Sequence, residues 1–100
     1  MICALTARKL RAGTFDQFRE AFMAPVQAGQ MPAGWRSFNM LRGTDDPDEV
    51  ICFGIFEGTL DDLRANAALV GYADQQAAFA PYVQSVGADG FFEVIEDVAP

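Results

Sequence analysis

The chain has 100 residues, 51% of them hydrophobic and 21% charged, which suits one globular domain over residues 1–100 and excludes a disordered chain. A formal charge of −7, from 14 acidic against 7 basic residues, argues against nucleic acid as a partner, because phosphate-backbone affinity comes from Lys and Arg. No apolar stretch is long enough to span a bilayer, and the amino terminus lacks the basic-then-apolar pattern of a secretion signal, so a soluble cytoplasmic protein without a membrane partner is expected.

Ile2 to Lys9 alternates, with Ile2, Ala4, Thr6 and Arg8 on one side and Cys3, Leu5, Ala7 and Lys9 on the other, and is expected to form the first strand. Gly13 ends it. Thr14-x-x-Gln17 has the pattern of a capping box, and Phe15, Phe18, Phe22 and Val26 follow at helical spacing, which predicts a helix from about Phe15 to Ala24 that leaves through Pro25 and the glycines at 29 and 34. These aromatics are read as core. Trp35 to Arg42 alternates as a second strand, and Gly43-Thr-Asp-Asp-Pro-Asp48 is rich enough in turn formers to be a hairpin loop. The acids Asp45, Asp46, Asp48 and Glu49 lack the spacing of a calcium loop, so a solvated turn is expected and no metal.

Glu49 to Glu57 is the most apolar run on both parities and reads as a central strand, with Val50, Cys52, Gly54 and Phe56 on one face and Ile51, Phe53 and Ile55 on the other. Thr59-x-x-Asp62 then starts a second helix whose stripe is Leu60, Leu63, Ala67 and Val70, with Asn66 leaning inward and Gly71 just past its end. Phe79, Tyr82, Val83 and Val86 suggest a further helical piece, kinked or restarted at Pro81 and closed between Gly87 and Gly90. Phe91 to Val98 is expected to be the last strand.

The order is therefore βαββαβ, the ferredoxin-like arrangement of the α+β class, in which a four-stranded antiparallel sheet carries its helices on one face. The other face would leave Ile51, Phe53 and Ile55 open, an apolar patch that soluble monomers rarely expose, and a second copy of the chain is the simplest cover. A homodimer is expected. The absence of His removes the commonest metal ligand and the usual general base near neutral pH. Cys3 and Cys52 both fall inside predicted strands, without CxxC spacing, and should stay reduced.

Leu41-Arg42-Gly43-Thr44-Asp45-Asp46-Pro47-Asp48-Glu49-Val50, running into a strand that ends Ile55-Phe56-Glu57-Gly58 and then Leu60-Asp61-Asp62-Leu63, resembles the antibiotic biosynthesis monooxygenase-like family of dimeric α/β barrels. The resemblance implies a ligand site between sheet and helices, for an enzyme of the cofactor-independent monooxygenase kind acting on a small apolar, aromatic or polyketide-like compound. It directs attention to Thr6, Arg8, Cys52, Phe56 and Asn66 as candidate substrate-binding residues, with Trp35, Asn39 and Tyr72 as weaker candidates, and leaves the catalytic residues unassigned. Phe56 stands where members usually carry Trp. Asn66 stands where haem-degrading members carry their axial His, and Thr6 lies near the position of their strand-one Asn, so no cofactor is expected. The plain structural alternative for these residues is Phe56 as core, Asn66 capping or solvated and Arg8 paired with a surface acid; the alternative function is a non-catalytic ligand-binding or interaction module whose dimer carries the function.

Overall fold

The alternating segments become strands whose burial follows the same period of two. In a computed structural model that describes residues 1–27, 32–66 and 72–100, the elements are β1 (Ile2–Leu10), α1 (Phe15–Gln27), β2 (Trp35–Arg42), β3 (Glu49–Phe56), α2 (Leu60–Arg64), α3 (Tyr72–Phe79) and β4 (Val83–Glu93). The sheet order is β2-β3-β1-β4, antiparallel throughout, so the apolar β3 lies inside the sheet as its composition requires. Along β3, Val50, Cys52, Gly54 and Phe56 are buried, while Ile51, Phe53 and Ile55 are only half-buried. The pairing of Thr6 with Cys52, Arg8 with Val50 and Ile2 with Phe56 puts the even positions of β1 on the same, helix-covered face.

Two apolar clusters fill the layer between sheet and helices. Leu10, Phe18, Val50, Cys52 and Phe79 form one, and Ile2, Trp35, Phe56 and Leu63 form the other. Phe18 and Phe22 point from α1 into the first cluster, as their spacing predicts. The side chain of Val26 lies outside the described residues. α1 runs to Gln27, past its expected end at Ala24; Pro25 cannot donate to the Ala21 carbonyl, but its fixed φ is itself helical. The Thr14 hydroxyl is 2.7 Å from the Arg11 carbonyl oxygen, to which it donates, tying the loop before α1.

At α2 the capping box forms as expected: the Asp62 N–H donates to the Thr59 hydroxyl at 3.1 Å, and the Thr59 N–H donates to the Asp62 carboxylate at 3.0 Å. The helix itself is short. Its C-cap is Ala65, and the Asn66 N–H donates to the Leu63 carbonyl at 2.9 Å, a tighter closing turn that leaves Asn66 beyond the helix rather than on its stripe. Ala67, Val70 and Gly71 lie outside the described residues.

The carboxy-terminal third departs most from expectation. α3 stops at Phe79, a single 3₁₀ turn spans Ala80–Tyr82, and β4 begins at Val83. Pro81 lacks the N–H that a helix interior requires, so it terminates the helix rather than kinking it. Val83 and Val86 then pair with Leu10 and Arg8, and Gly87 and Gly90 belong to the strand, where register shifts absorb the irregular stretch. The strand ends at Glu93, so its predicted continuation to Val98 is not formed, and the Val94 N–H instead donates to the Met1 carbonyl at 3.0 Å.

The second sheet face carries Cys3, Leu5 and Ala7 from β1 and Ile51, Phe53 and Ile55 from β3, with Leu41 of β2 and Phe92 of β4 about half exposed at 50% and 48%. Among the described residues no helix is long and apolar enough to cross a membrane.

Candidate functional site

Alternation on β1 places Thr6 and Arg8 under the helices, and they are the buried polar residues among the described ones, 7% and 4% exposed. Burying a charge is costly unless it is partnered. The Arg8 guanidinium carbon lies 4.8 Å from the ring centre of Phe79, 5.6 Å from that of Phe22 and 5.7 Å from that of Phe18, so α1 and α3 together wall it with three phenyl rings. Those rings also pack on one another, with Phe18 stacked on Phe22 at 5.6 Å and edge-on to Phe79 at 5.2 Å. Thr6 donates from its hydroxyl to the Asp89 carboxylate at 2.9 Å, a contact made possible by the Thr6–Asp89 pairing of β1 with β4.

Cys52 sits opposite Thr6 on β3. Burial pushes its thiol up to about 11, against the opposing pull of the Arg8 charge, so at neutral pH it is a neutral S–H and no nucleophile. The consequence for stability follows from proton uptake. An unfolded thiol ionises near 9.0 while the folded one resists until about 11, so the folded state holds more protons in that window and stability falls as pH rises through it. Denaturation profiles should show a steeper alkaline loss for the wild type than for Cys52→Ala, and Ellman's reagent should reach Cys52 only after unfolding. Equal profiles together with fast native-state labelling of Cys52 would contradict this. Both cysteines are free, and the register keeps Cys3, opposite Ile55, on the other face from Cys52.

Phe56 and Asn66 belong to a second locus. Phe56 lies four residues beyond Cys52 along β3, roughly 13 Å at strand rise, and packs edge-on against Trp35 at 5.4 Å. The Trp35 indole N–H donates to the Asn66 carbonyl oxygen at 3.4 Å, and the Asn66 amide donates to the Ala33 carbonyl at 2.8 Å. Trp35 reaches this layer through a register shift between Trp35 and Ser37; strict alternation would have sent it to the open face with Ser37 and Asn39. Asn39 does lie on that open-face parity, donating to the Ser37 hydroxyl at 3.1 Å, and does not join the others. The side chain of Tyr72, the first residue of α3, lies outside the described residues.

Between the two loci, Gly54 is covered by this chain's own rings. A Cβ there would stand 2.7 Å from Trp35 Cζ3 and 3.1 Å from Phe38 Cδ1, so the glycine is needed for ring packing. Gly54→Ala should destabilise the fold by about 1–3 kcal/mol and change the emission of Trp35, the single tryptophan. Unaltered emission and stability would show that the rings do not sit over this glycine.

Asp46 is paired with Lys9 and accepts the Asp48 N–H at 3.0 Å, and among the described residues no group of three potential ligands could hold a metal. Haem does not fit the described donors either. The amide of Asn66 is already engaged, the chain offers no imidazole, and burial keeps the Cys52 thiol protonated. Haemin titration should give no sharp Soret shift at near-stoichiometric protein; a saturable one-to-one shift would mean that the site binds iron.

Two features escape a reading of the sequence. Asp89 falls in a stretch whose spacing mimics a helix, and only the strand register brings it to Thr6. The enclosure of Arg8 depends on contacts from α1 and α3, far away in the chain.

No protein-family model matches the chain, and no curated protein does. Solved structures do. The chain is similar to a provisionally assigned antibiotic biosynthesis monooxygenase from Deinococcus radiodurans, at a TM-score of 0.78 and 15% identity over 100% of this chain and 98% of that one. It is also similar to SnoaB, a cofactor-independent oxygenase from Streptomyces nogalater, at 0.76 and 13% over 99% and 97%. A provisionally assigned antibiotic biosynthesis monooxygenase from Nitrosomonas europaea aligns at 0.76 and 16% over 96% and 100%. At these identities the likeness concerns the backbone: the chain has the ferredoxin-like fold of the antibiotic biosynthesis monooxygenase structures along nearly its whole length.

Proposed function

We propose that the chain forms a homodimer through its open sheet face and binds a small aromatic or polyketide-like compound between sheet and helices, acting on it as a cofactor-independent monooxygenase. One observation carries this reading: Thr6 and Arg8 are buried polar side chains on a face otherwise lined by apolar and aromatic groups, the combination by which small-molecule sites orient a ligand. The fold shared with an oxygenase that works without cofactor supports the reaction class. A reducing cytoplasm suits the two free thiols.

Oxygenation without a cofactor requires the substrate itself to supply the electrons, which an acidic C–H compound does after losing a proton. In a chain without His, the Asp89 carboxylate, held by the Thr6 hydroxyl, is the proton acceptor beside this layer. Oxygen is the co-reactant. For an aromatic methylene compound, one oxygen atom becomes the product carbonyl and the other leaves as water with the two methylene hydrogens. The test is oxygen uptake with a panel of hydroxylated polycyclic aromatic methylene compounds, using purified protein without added flavin, metal or haem. Labelled O₂ should place one atom in the product, and Asp89→Asn should slow turnover far more than it weakens binding. Saturable binding with no oxygen uptake across the panel would assign the chain to non-catalytic ligand binding.

A further inference from the structure

Among the described residues, the buried side-chain polar atom without a hydrogen-bond partner belongs to the guanidinium of Arg8. Its cross-strand neighbours are Val50 on β3 and Val86 on β4, and the rings of Phe18, Phe22 and Phe79 face it from α1 and α3. The Cys52 thiol on β3 is hydrogen-bonded to it but, held neutral by burial, brings no compensating charge. Among the described residues the ion pair present is Lys9 with Asp46, on the other side of the sheet, so no carboxylate pairs with Arg8. Its Nη1 is shut off from solvent and has no hydrogen-bond partner. Cation–π contacts with ring faces offset part of the desolvation cost but leave the donor unsatisfied. In a chain of formal charge −7, a cation buried here with no carboxylate beside it among the described residues gives the fold little that an apolar residue would not.

We infer that Arg8 is an oxyanion receptor, so that the compound taken between sheet and helices carries a carboxylate or a phenolate on an aromatic body. This rests on the proposed site and specifies the class of its ligand. The oxyanion satisfies Nη1 with a charge-assisted hydrogen bond, and the aromatic body takes the place of a phenyl ring that turns aside to admit it. Arg8 is thus retained at the expense of stability, as binding groups commonly are.

The test compares charged and neutral probes of similar shape: 2-naphthoate against 2-naphthamide, and 4-nitrophenolate against 4-nitroanisole, each titrated into the full chain and followed by Trp35 emission and the Arg8 side-chain Nε–H resonance. An anion of either kind should bind at least about tenfold more tightly than its neutral counterpart, and the ratio of the two anions tells carboxylate from phenolate. Arg8→Met should abolish that preference while leaving thermal stability equal or higher, because it removes an uncompensated buried charge. Should that variant fail to fold, Arg8→Lys, a point charge without the planar fork, should keep the fold and a reduced preference. Neutral probes binding as tightly as anions, or a preference that survives Arg8→Met, would overturn the inference and leave the site itself standing. No binding by any probe would overturn both.

Discussion

Phe53→Asp is expected to convert a dimer that persists at low micromolar concentration into a folded monomer. Phe53 stands at the middle of the open face, opposite Leu5 on β1 and Asn39 on β2, between the half-buried Ile51 and Ile55 on its own strand. Fully burying each of these apolar side chains is worth about 1.5–3 kcal/mol, which is the driving force for covering the face. A two-fold axis uses the same surface twice, so one substitution places a desolvated carboxylate in each half of the interface. The helix-covered layer lies on the other side of the sheet, and circular dichroism should therefore change little. Sedimentation that finds the wild type as a stable, monodisperse monomer would remove the dimer from the account.

Phe18→Ala should cost about 3–5 kcal/mol, a large share of the roughly 5–15 kcal/mol that holds a domain of this kind together. Phe18 is fully buried, at 0% exposure, and packs on Phe22 and Phe79 as well as over Arg8. Its removal loses both the transfer of the ring from water and the ring contacts that tie α1 to α3. Chemical denaturation at one fixed protein concentration is the appropriate measurement, because dimer stability varies with concentration. A loss below about 1 kcal/mol would mean that Phe18 is not central to this core.

The parts of the fold legible in the sequence are those governed by local rules. Strict alternation from Glu49 to Phe56 set the two faces of β3, and the acid-rich turn at residues 43–48 set the hairpin; both are as expected. The capping box at Thr59 and Asp62 is likewise a matter of neighbouring residues. Phe79, Tyr82, Val83 and Val86 satisfy helical spacing, but the missing N–H of Pro81 and the pairing of Val83 with Leu10 decide for a strand. Trp35 was undecidable from alternation, since a bulge rather than parity turns it inward.

The candidate site was legible only as a list. Thr6, Arg8 and Cys52 share one patch of β1 and β3, while Phe56 and Asn66 meet at Trp35 some distance along the sheet. The glycine between them, which in a strand suggests room for a ligand, is filled by Trp35 and Phe38. The aromatic enclosure of Arg8 could not be read at all, because no local rule places residues 18, 22 and 79 over residue 8.

Amide chemical-shift mapping of the intact protein during titration with 2-naphthoate tests most directly whether small aromatic compounds enter between sheet and helices. Shifts should concentrate at Thr6, Arg8, Cys52 and Asp89 and extend toward Trp35, Phe56 and Asn66, with Leu5, Ile51 and Phe53 unaffected. Shifts confined to Leu5, Ile51, Phe53 and their neighbours on the open face, or no saturable shift at all, would contradict such entry.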